Sequence, residues 1–416
     1  MTKSRTIASE LPGFRHASVP ERRATLGALL DLGEAEREIL EAPAGLAAEQ
    51  ADLMIENAIG AMGLPLGLCL NLHVDGRDRL VPMAIEEPSV VAAASFAAKL
   101  LRAGGGVRTE LTAPHMIGQI QLLDVEDMER GEQAIAATRA ELLAQANACD
   151  PVLVAAGGGA ADLEIRRLAP LESGDPAGPM LVVHLVVDVR DAMGANLVNA
   201  MCESLGPRLA SLAGGRVGLR IVSNLADRRL AVAWGHVPLS ALAARGGHDP
   251  ERLARDVEQA SAFAERDPYR AATHNKGIMN GIDAVLVAFG QDWRAVEAGA
   301  HAFAARSGRY TALSRWRVRE GALHGRLELP LAVGTVGGIS ALHPTVRLAR
   351  RLAEIRSAAE LASVAAAVGL AQNLGALRAL VTEGICRGYR RQHARAVAAR
   401  AGADVGPPTS RFGRVD

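Results

Sequence analysis

Lysine is almost absent from this sequence. Of 46 basic residues only Lys3, Lys99 and Lys276 are lysines, and the other 43 are arginines. Aromatic residues make up 3% of the chain while hydrophobic residues make up 49%, so a large core must close through Ala, Leu, Val and Gly. The four cysteines, Cys69, Cys149, Cys202 and Cys386, show no Cys-x-x-Cys spacing. That argues against a zinc site or a disulfide framework and fits a reducing cytoplasm. No metal is expected. Neither charge is in excess, since 46 acidic residues balance the basic ones, and nothing marks a nucleic-acid or acidic partner. The N-terminus lacks the apolar core of a signal peptide, and no uncharged stretch reaches membrane-spanning length. These absences predict a cytoplasmic, globular protein with no membrane partner.

At 416 residues the chain is long for one domain, so two are expected, one inserted in the other. Residues 1–112 read mainly as helices, one opened by Pro20, one over Ala47–Ala61 and one from Glu87-Pro88-Ser89 to Gly104-Gly-Gly106. Proline in a first turn and glycine past an end punctuate helices in this way. The alternating stretch Leu68–Met83, broken by Asp75-Gly76, predicts a hairpin. Residues 113–224 change rhythm, with strands at Gln119–Val125, Leu163–Leu168, Leu181–Val189 and Val217–Ser223, and helices at Met128–Asn147 and Gly194–Leu212. That β-α-β-β-α-β order is ferredoxin-like. Residues 225–386 are the second part of the large domain; the helical style resumes near Asp249 and continues, with a strand pair around Tyr310–Leu329, to roughly Arg395, and a polar tail follows over Ala401–Asp416. The fold class is α+β: a large, mainly helical domain carrying an inserted ferredoxin-like one.

Lys276 lies in Asp267–Asp283, where polar groups and glycines alternate without an obvious surface-helix period. A compact ammonium retained among arginines suits a catalytic amine that polarises a carbonyl or steadies an oxyanion. GC-rich coding that happened to leave three lysines explains it equally simply. Asp191-Ala-Met-Gly-Ala-Asn196 follows an apolar strand and opens a helix, a place for phosphate. Gly157-Gly-Gly159 is a second such loop, and each is alternatively an ordinary turn. Glu87, at a helix start, and Asp292, before Trp293, read as caps. Glu56-Asn57 interrupts an apolar helix, where a core network or a subunit interface would satisfy it.

Several segments together resemble the class II, bacterial-type hydroxymethylglutaryl-CoA reductases. They are Glu56–Gly60, Glu86–Ser89, Asp188–Asn196, Asp267–Asp283, Asp292–His301 and Gly369–Ala376. The resemblance spans nearly the whole chain. It implies interconversion of hydroxymethylglutaryl-CoA with mevalonate and CoA by two hydride transfers. The implied catalytic residues are Glu87, Lys276, Asp292 and His393. Lys276 would face the oxyanion, Glu87 would deliver a proton and couple to the lysine, Asp292 would hold the lysine charged, and His393 would protonate the CoA thiolate. Ser89, Arg270, Thr273 and Asn280 would contact the hydroxymethylglutaryl group. The inserted domain would bind the dinucleotide through Asp150, Gly157, Gly158, Asp191, Met193, Gly194, Ala195, Asn196 and Asn224. A carboxylate at Asp150 accepts from a ribose 2′-hydroxyl and repels a 2′-phosphate, so NAD(H) is expected over NADP(H), with Arg166 or Arg167 as complications. The resemblance also implies a homodimer, or a higher oligomer, with active sites at the interface and Glu56–Gly60 within it.

The chain departs from the family at the flap, residues 387–416. Only 23 residues follow His393, and they include Gly406-Pro-Pro408. A shortened lid is expected to affect closure and CoA affinity. A non-catalytic CoA- or nucleotide-binding paralogue is the alternative that this departure raises.

Overall fold

The computed structural model describes residues 7–42, 46–172, 174–175, 178–243, 247–338 and 342–384. Two sheets organise it. The larger has six strands in the order β2-β1-β3-β8-β10-β9. Its members are β1 (Leu66–Val74), β2 (Arg77–Ala84), β3 (Val107–Leu111), β8 (Leu230–Pro238), β9 (Ser314–Arg319) and β10 (Ala322–Pro330). The smaller consists of β4 (His115–Leu123), β5 (Gly159–Leu168), β6 (Met180–Asp188) and β7 (Arg216–Ser223), in the order β5-β6-β4-β7 with all neighbours antiparallel. Numbered within their own unit, these strands run 2-3-1-4, the ferredoxin-like order. The larger sheet takes strands from both sides of this segment, so the smaller sheet interrupts the larger in sequence.

Three helices pack on the inner face of the large sheet: Val90–Ala103, Pro268–Ala288 and Ala358–Val381. Among the described residues, Ala358–Val381 alone is long and apolar enough to cross a membrane, but most of it is buried inside the protein. Most of its apolar residues from Leu361 to Leu377 belong to the main apolar cluster, so it is a core helix. With few aromatics available, helices close in through glycine. A Cβ on Gly375 would sit 2.9 Å from the Ala93 carbonyl oxygen, and one on Gly281 would lie 2.7 Å from the Gln372 Cβ. Trp316, fully buried, lies over Gly325, where a Cβ would fall 2.4 Å from its ring. Burying such a side chain stabilises the fold by about 1.5–3 kcal/mol.

Several local expectations change. The helix expected over Ala47–Ala61 covers only Ala48–Asp52. Asn57 takes φ 57° and Gly60 φ 152°, while Leu53, Ile55, Ile59 and Met62 face solvent. Among the described residues no surface buries that apolar side, so helix formation gains little there. Glu56 and Asn57 are exposed as well, not buried. The helix expected over Met128–Asn147 is two, Met128–Ala137 and Arg139–Asn147. It breaks at Thr138, whose hydroxyl donates back to the Ala134 carbonyl at 2.7 Å, a bond that competes with helix continuation. Strands β3 and β8 complete the large sheet without having been foreseen.

Candidate active site

Asp267-Pro268 opens the helix that carries Lys276. The Asp267 carboxylate accepts from the Arg270 amide at 2.7 Å, and proline occupies the first turn, where its missing N–H costs nothing. The helix runs to Ala288, and its period was hidden because polar groups line both of its faces. On the inner face, His274 Nε2 meets Ser314 Oγ at 2.7 Å and Asn373 Nδ2 at 3.1 Å. Trp316 Nε1 donates to Asn373 Oδ1 at 2.7 Å. Asn275 donates to the Tyr310 hydroxyl and the Thr311 carbonyl and accepts from the Leu313 amide at 2.9 Å. Burial, with Arg270 nearby, pulls the His274 pKa down to about 3, so its imidazole is neutral near pH 7.

On the opposite side Thr273 and Lys276 are exposed and Asn280 is half-buried, spaced to share one helix face. The chain leading into Val90–Ala103 crosses this face. Lys276 Nζ lies 3.5 Å from Glu87 Oε2, and Asn280 Nδ2 lies 3.5 Å from the same oxygen. Ser89 Oγ donates to Glu87 Oε1 at 3.3 Å. Ser89 makes no side-chain cap to its own helix. Glu87 is thus directed at the lysine, in a cluster with Ser89 and Asn280. These contacts are long, and the Lys276 side chain is 64% exposed.

Asp292 stands apart. Its carboxylate accepts from the Ala295 amide at 3.1 Å, capping Trp293–Ala304, and lies 3.5 Å from Arg294. Among the described residues, Glu87 is the one carboxylate within ion-pair distance of Lys276, so the lysine expected between two carboxylates is held by one. Arg270 is half-buried, and burial lowers its pKa. No described carboxylate pairs with it. His393 lies outside the described residues.

The nucleotide candidates gather where the two sheets meet. Gly194, at φ 101°, is the N-cap of Ala195–Ala213, and a Cβ there would fall 2.6 Å from Val189 Cγ1. Ala195 and Asn196 form the first turn of that helix. The Arg190 guanidinium donates to the Gly157 carbonyl, and a Cβ on Gly158 would meet the Asp188 oxygen at 2.7 Å. Both loops therefore bring bare backbone close together. Asp150 caps Pro151–Ala155, accepting from Leu153 N at 2.8 Å. Asp191 is committed to the large unit: its carbonyl accepts from Thr335 N and its carboxylate from Ala358 N at 2.7 Å. Asn224 is exposed, its carbonyl packed against Gly299.

The sequence reading passed over Arg229. Deeply buried, it donates to the carbonyls of Ala192 and Met193 at 3.1 and 3.2 Å and to that of Val333 at 2.5 Å. Burial lowers its pKa to about 10, which leaves it charged near pH 7. It clamps the 191–193 loop to the large unit, beside a cavity of 280 Å³ lined by Thr112, Arg190, Asp191 and Ala358 among others. Its only signal in the sequence was a basic doublet directly before an apolar strand.

The fold is therefore α+β, with a lysine–carboxylate pair on one unit beside a ferredoxin-like unit with glycine-bordered loops. The family model for hydroxymethylglutaryl-coenzyme A reductase matches residues 18–394. The 3-hydroxy-3-methylglutaryl-coenzyme A reductase of Archaeoglobus fulgidus is 47% identical over 96% of this chain and 89% of its own length. A probable enzyme of the same name from Borreliella burgdorferi is 34% identical over 91% and 84%. A solved 3-hydroxy-3-methylglutaryl-coenzyme A reductase of Streptococcus pneumoniae superposes with a TM-score of 0.85 at 42% identity, covering 90% of this chain and all of that one. A class II structure from the same species, equally similar, is bound to NADPH in open conformations. The chain belongs to the hydroxymethylglutaryl-coenzyme A reductase family.

Proposed function

We propose that the chain interconverts (S)-3-hydroxy-3-methylglutaryl-CoA and (R)-mevalonate plus CoA with NAD(H), at a centre built on Lys276. The observation that carries this reading is the convergence of Lys276, Glu87, Asn280 and Ser89 from two segments onto one exposed face. Reduction of the thioester turns its carbonyl oxygen into an oxyanion, and a positioned ammonium stabilises that charge in the transition state. Glu87, 3.5 Å from the ammonium, would exchange a proton with it and deliver one when the aldehyde is reduced. Arg270 offers a half-buried guanidinium without a carboxylate partner among the described residues, suited to bidentate pairing with the substrate's free carboxylate. Thr273 and Asn280 share its helix. Asp292 would join the centre once the assembly closes, and His393, outside the described residues, would protonate the departing thiolate.

A bound nicotinamide nucleotide supplies or accepts the hydride. Gly157, Gly158, Met193 and Gly194, with the amides of Ala195 and Asn196, would hold its phosphates at the start of a 19-residue helix. Asp150 would accept from a ribose hydroxyl, favouring NAD(H). Arg167 does not oppose this, because Glu132 already holds it through two bonds of 2.6 Å. A homodimer is supported by four large apolar side chains, Leu53, Ile55, Ile59 and Met62, exposed within one short segment.

Purified protein assayed with both nicotinamides in both directions tests the reading. Turnover with hydroxymethylglutaryl-CoA is expected, faster with NADH than with NADPH; nucleotide and CoA binding without turnover would identify the non-catalytic paralogue instead. Asp150→Ala should reduce the NADH preference by roughly tenfold, the scale of one lost charged hydrogen bond. An unchanged ratio would remove Asp150 from that role.

A further inference from the structure

The outer face of the large sheet carries a second concave site, remote from Lys276. Its floor is four strands in register. Arg108 on β3 stands opposite Trp234 on β8, Trp234 opposite Arg326 on β10, and Arg326 opposite Arg315 on β9. In the next row His236, His324 and Arg317 are aligned, with the two imidazoles stacked at 5.2 Å. Arg319 extends the edge. The cavity has a volume of 590 Å³, and no carboxylate lines it. Glu265 pairs with Arg317 and Glu328 with Arg326, while Arg108, Arg315 and Arg319 have no carboxylate partner among the described residues. Glu110 lies on the same face beyond Arg108. Trp234 is 39% exposed, which is unusual in a chain that buries Trp316 completely.

Three unpaired guanidiniums in one basin repel one another, and an anion relieves that repulsion. Their forked donors suit phosphate. Trp234, flanked by two arginines, offers a flat apolar surface for a planar base. The volume suits a small molecule. A two-fold contact with the same face of a second copy would bring arginine against arginine, which disfavours that occupant. We propose that this basin binds a nucleoside polyphosphate, its phosphates held by Arg108, Arg315 and Arg319 and its base stacked on Trp234. It is a site separate from the reaction centre. Glu87 precedes the helix Val90–Ala103 and Gly104–Gly106, in the basin wall, follow it, a separation of about 20 Å along 14 residues of helix.

The test is calorimetric titration of the full chain with ATP, in the presence of saturating NADH and CoA to fill the enzyme's own nucleotide sites. Binding that weakens as salt rises is expected. The double substitution Arg108→Gln/Arg315→Gln should weaken it at least about tenfold, as expected when charge-assisted hydrogen bonds are lost, with reductase turnover retained. Trp234→Ala should weaken ATP severalfold and leave inorganic triphosphate unaffected, and this second variant decides the matter if the first does not fold. Absence of ATP binding, or equal affinity in the double variant, would overturn the site. Triphosphate binding as tightly as ATP, with no effect of Trp234→Ala, would overturn the nucleoside assignment.

Discussion

The helix Pro268–Ala288 carries polar residues on two sides, and the sides differ in every physical respect. Inward, His274 and Asn275 are buried and joined by bonds of 2.7–3.1 Å to Ser314, Asn373, Tyr310 and Leu313. Outward, Lys276 and Asn280 reach one carboxylate oxygen at 3.5 Å, and the lysine is largely exposed. Short bonds among buried neutral groups fix a backbone, because leaving any one of them unmade is costly. Long contacts around an exposed ammonium leave donors free for a substrate. Composition alone does not separate the two sets, since both are short runs of polar residues in one segment. Burial and partner distance do.

Substitutions on the two sides should therefore fail differently. Glu87→Gln is expected to lower kcat by at least about 10², the scale of one catalytic proton transfer, with an unchanged midpoint in urea; a loss confined to KM would assign Glu87 to binding alone. Asn373→Ala should do the reverse. It leaves His274, Ser314 and Trp316 short of a partner and should cost about 1–3 kcal/mol of unfolding free energy, with kcat per folded molecule close to normal. An equal loss of kcat would mean that the inner network also sets the reaction geometry. A third contrast concerns pH. The folded pKa of His274 lies below its unfolded value, so the unfolded chain binds the proton first as pH falls. The stability it contributes is complete above about pH 6.5 and is lost as pH falls toward 3. His274→Gln should flatten the pH dependence of stability across that window, and an unaltered slope would show that other groups govern it.

Much of this architecture is written in local signals. Asp75-Gly76 gives the β1–β2 hairpin, Asp267-Pro268 and Asp249-Pro250 open their helices, and the inserted segment's strand and helix order gives a ferredoxin-like sheet. What was not legible depends on contacts distant in sequence. Strand β3 is five residues long, and its pairing with β8 joins positions on either side of the whole inserted segment. Strand β8 is buried at Ala231–Ala233 and exposed at Trp234, so its alternation is blurred. The 53–62 segment has helical composition, and no surface among the described residues covers it. The resemblance named Lys276, Glu87, Ser89 and Asn280, and the structure brings these four together, while Asp292 stays with its own helix. Arg229 escaped notice because a buried arginine that bonds only to carbonyls leaves no pattern in a sequence.

Under the proposed function, the outer side of the helix would act as a reaction centre through the shape of the lysine as well as its charge. Arginine carries the same charge on a wider, permanently protonated group. The direct measurement is kcat with hydroxymethylglutaryl-CoA and NADH for Lys276→Ala and Lys276→Arg, with urea midpoints taken on the same samples. Both should fall by at least about 10² while folding normally, as when a single oxyanion donor is removed. Near-normal turnover in Lys276→Arg would show that any positive charge suffices, and near-normal turnover in Lys276→Ala would place the reaction elsewhere.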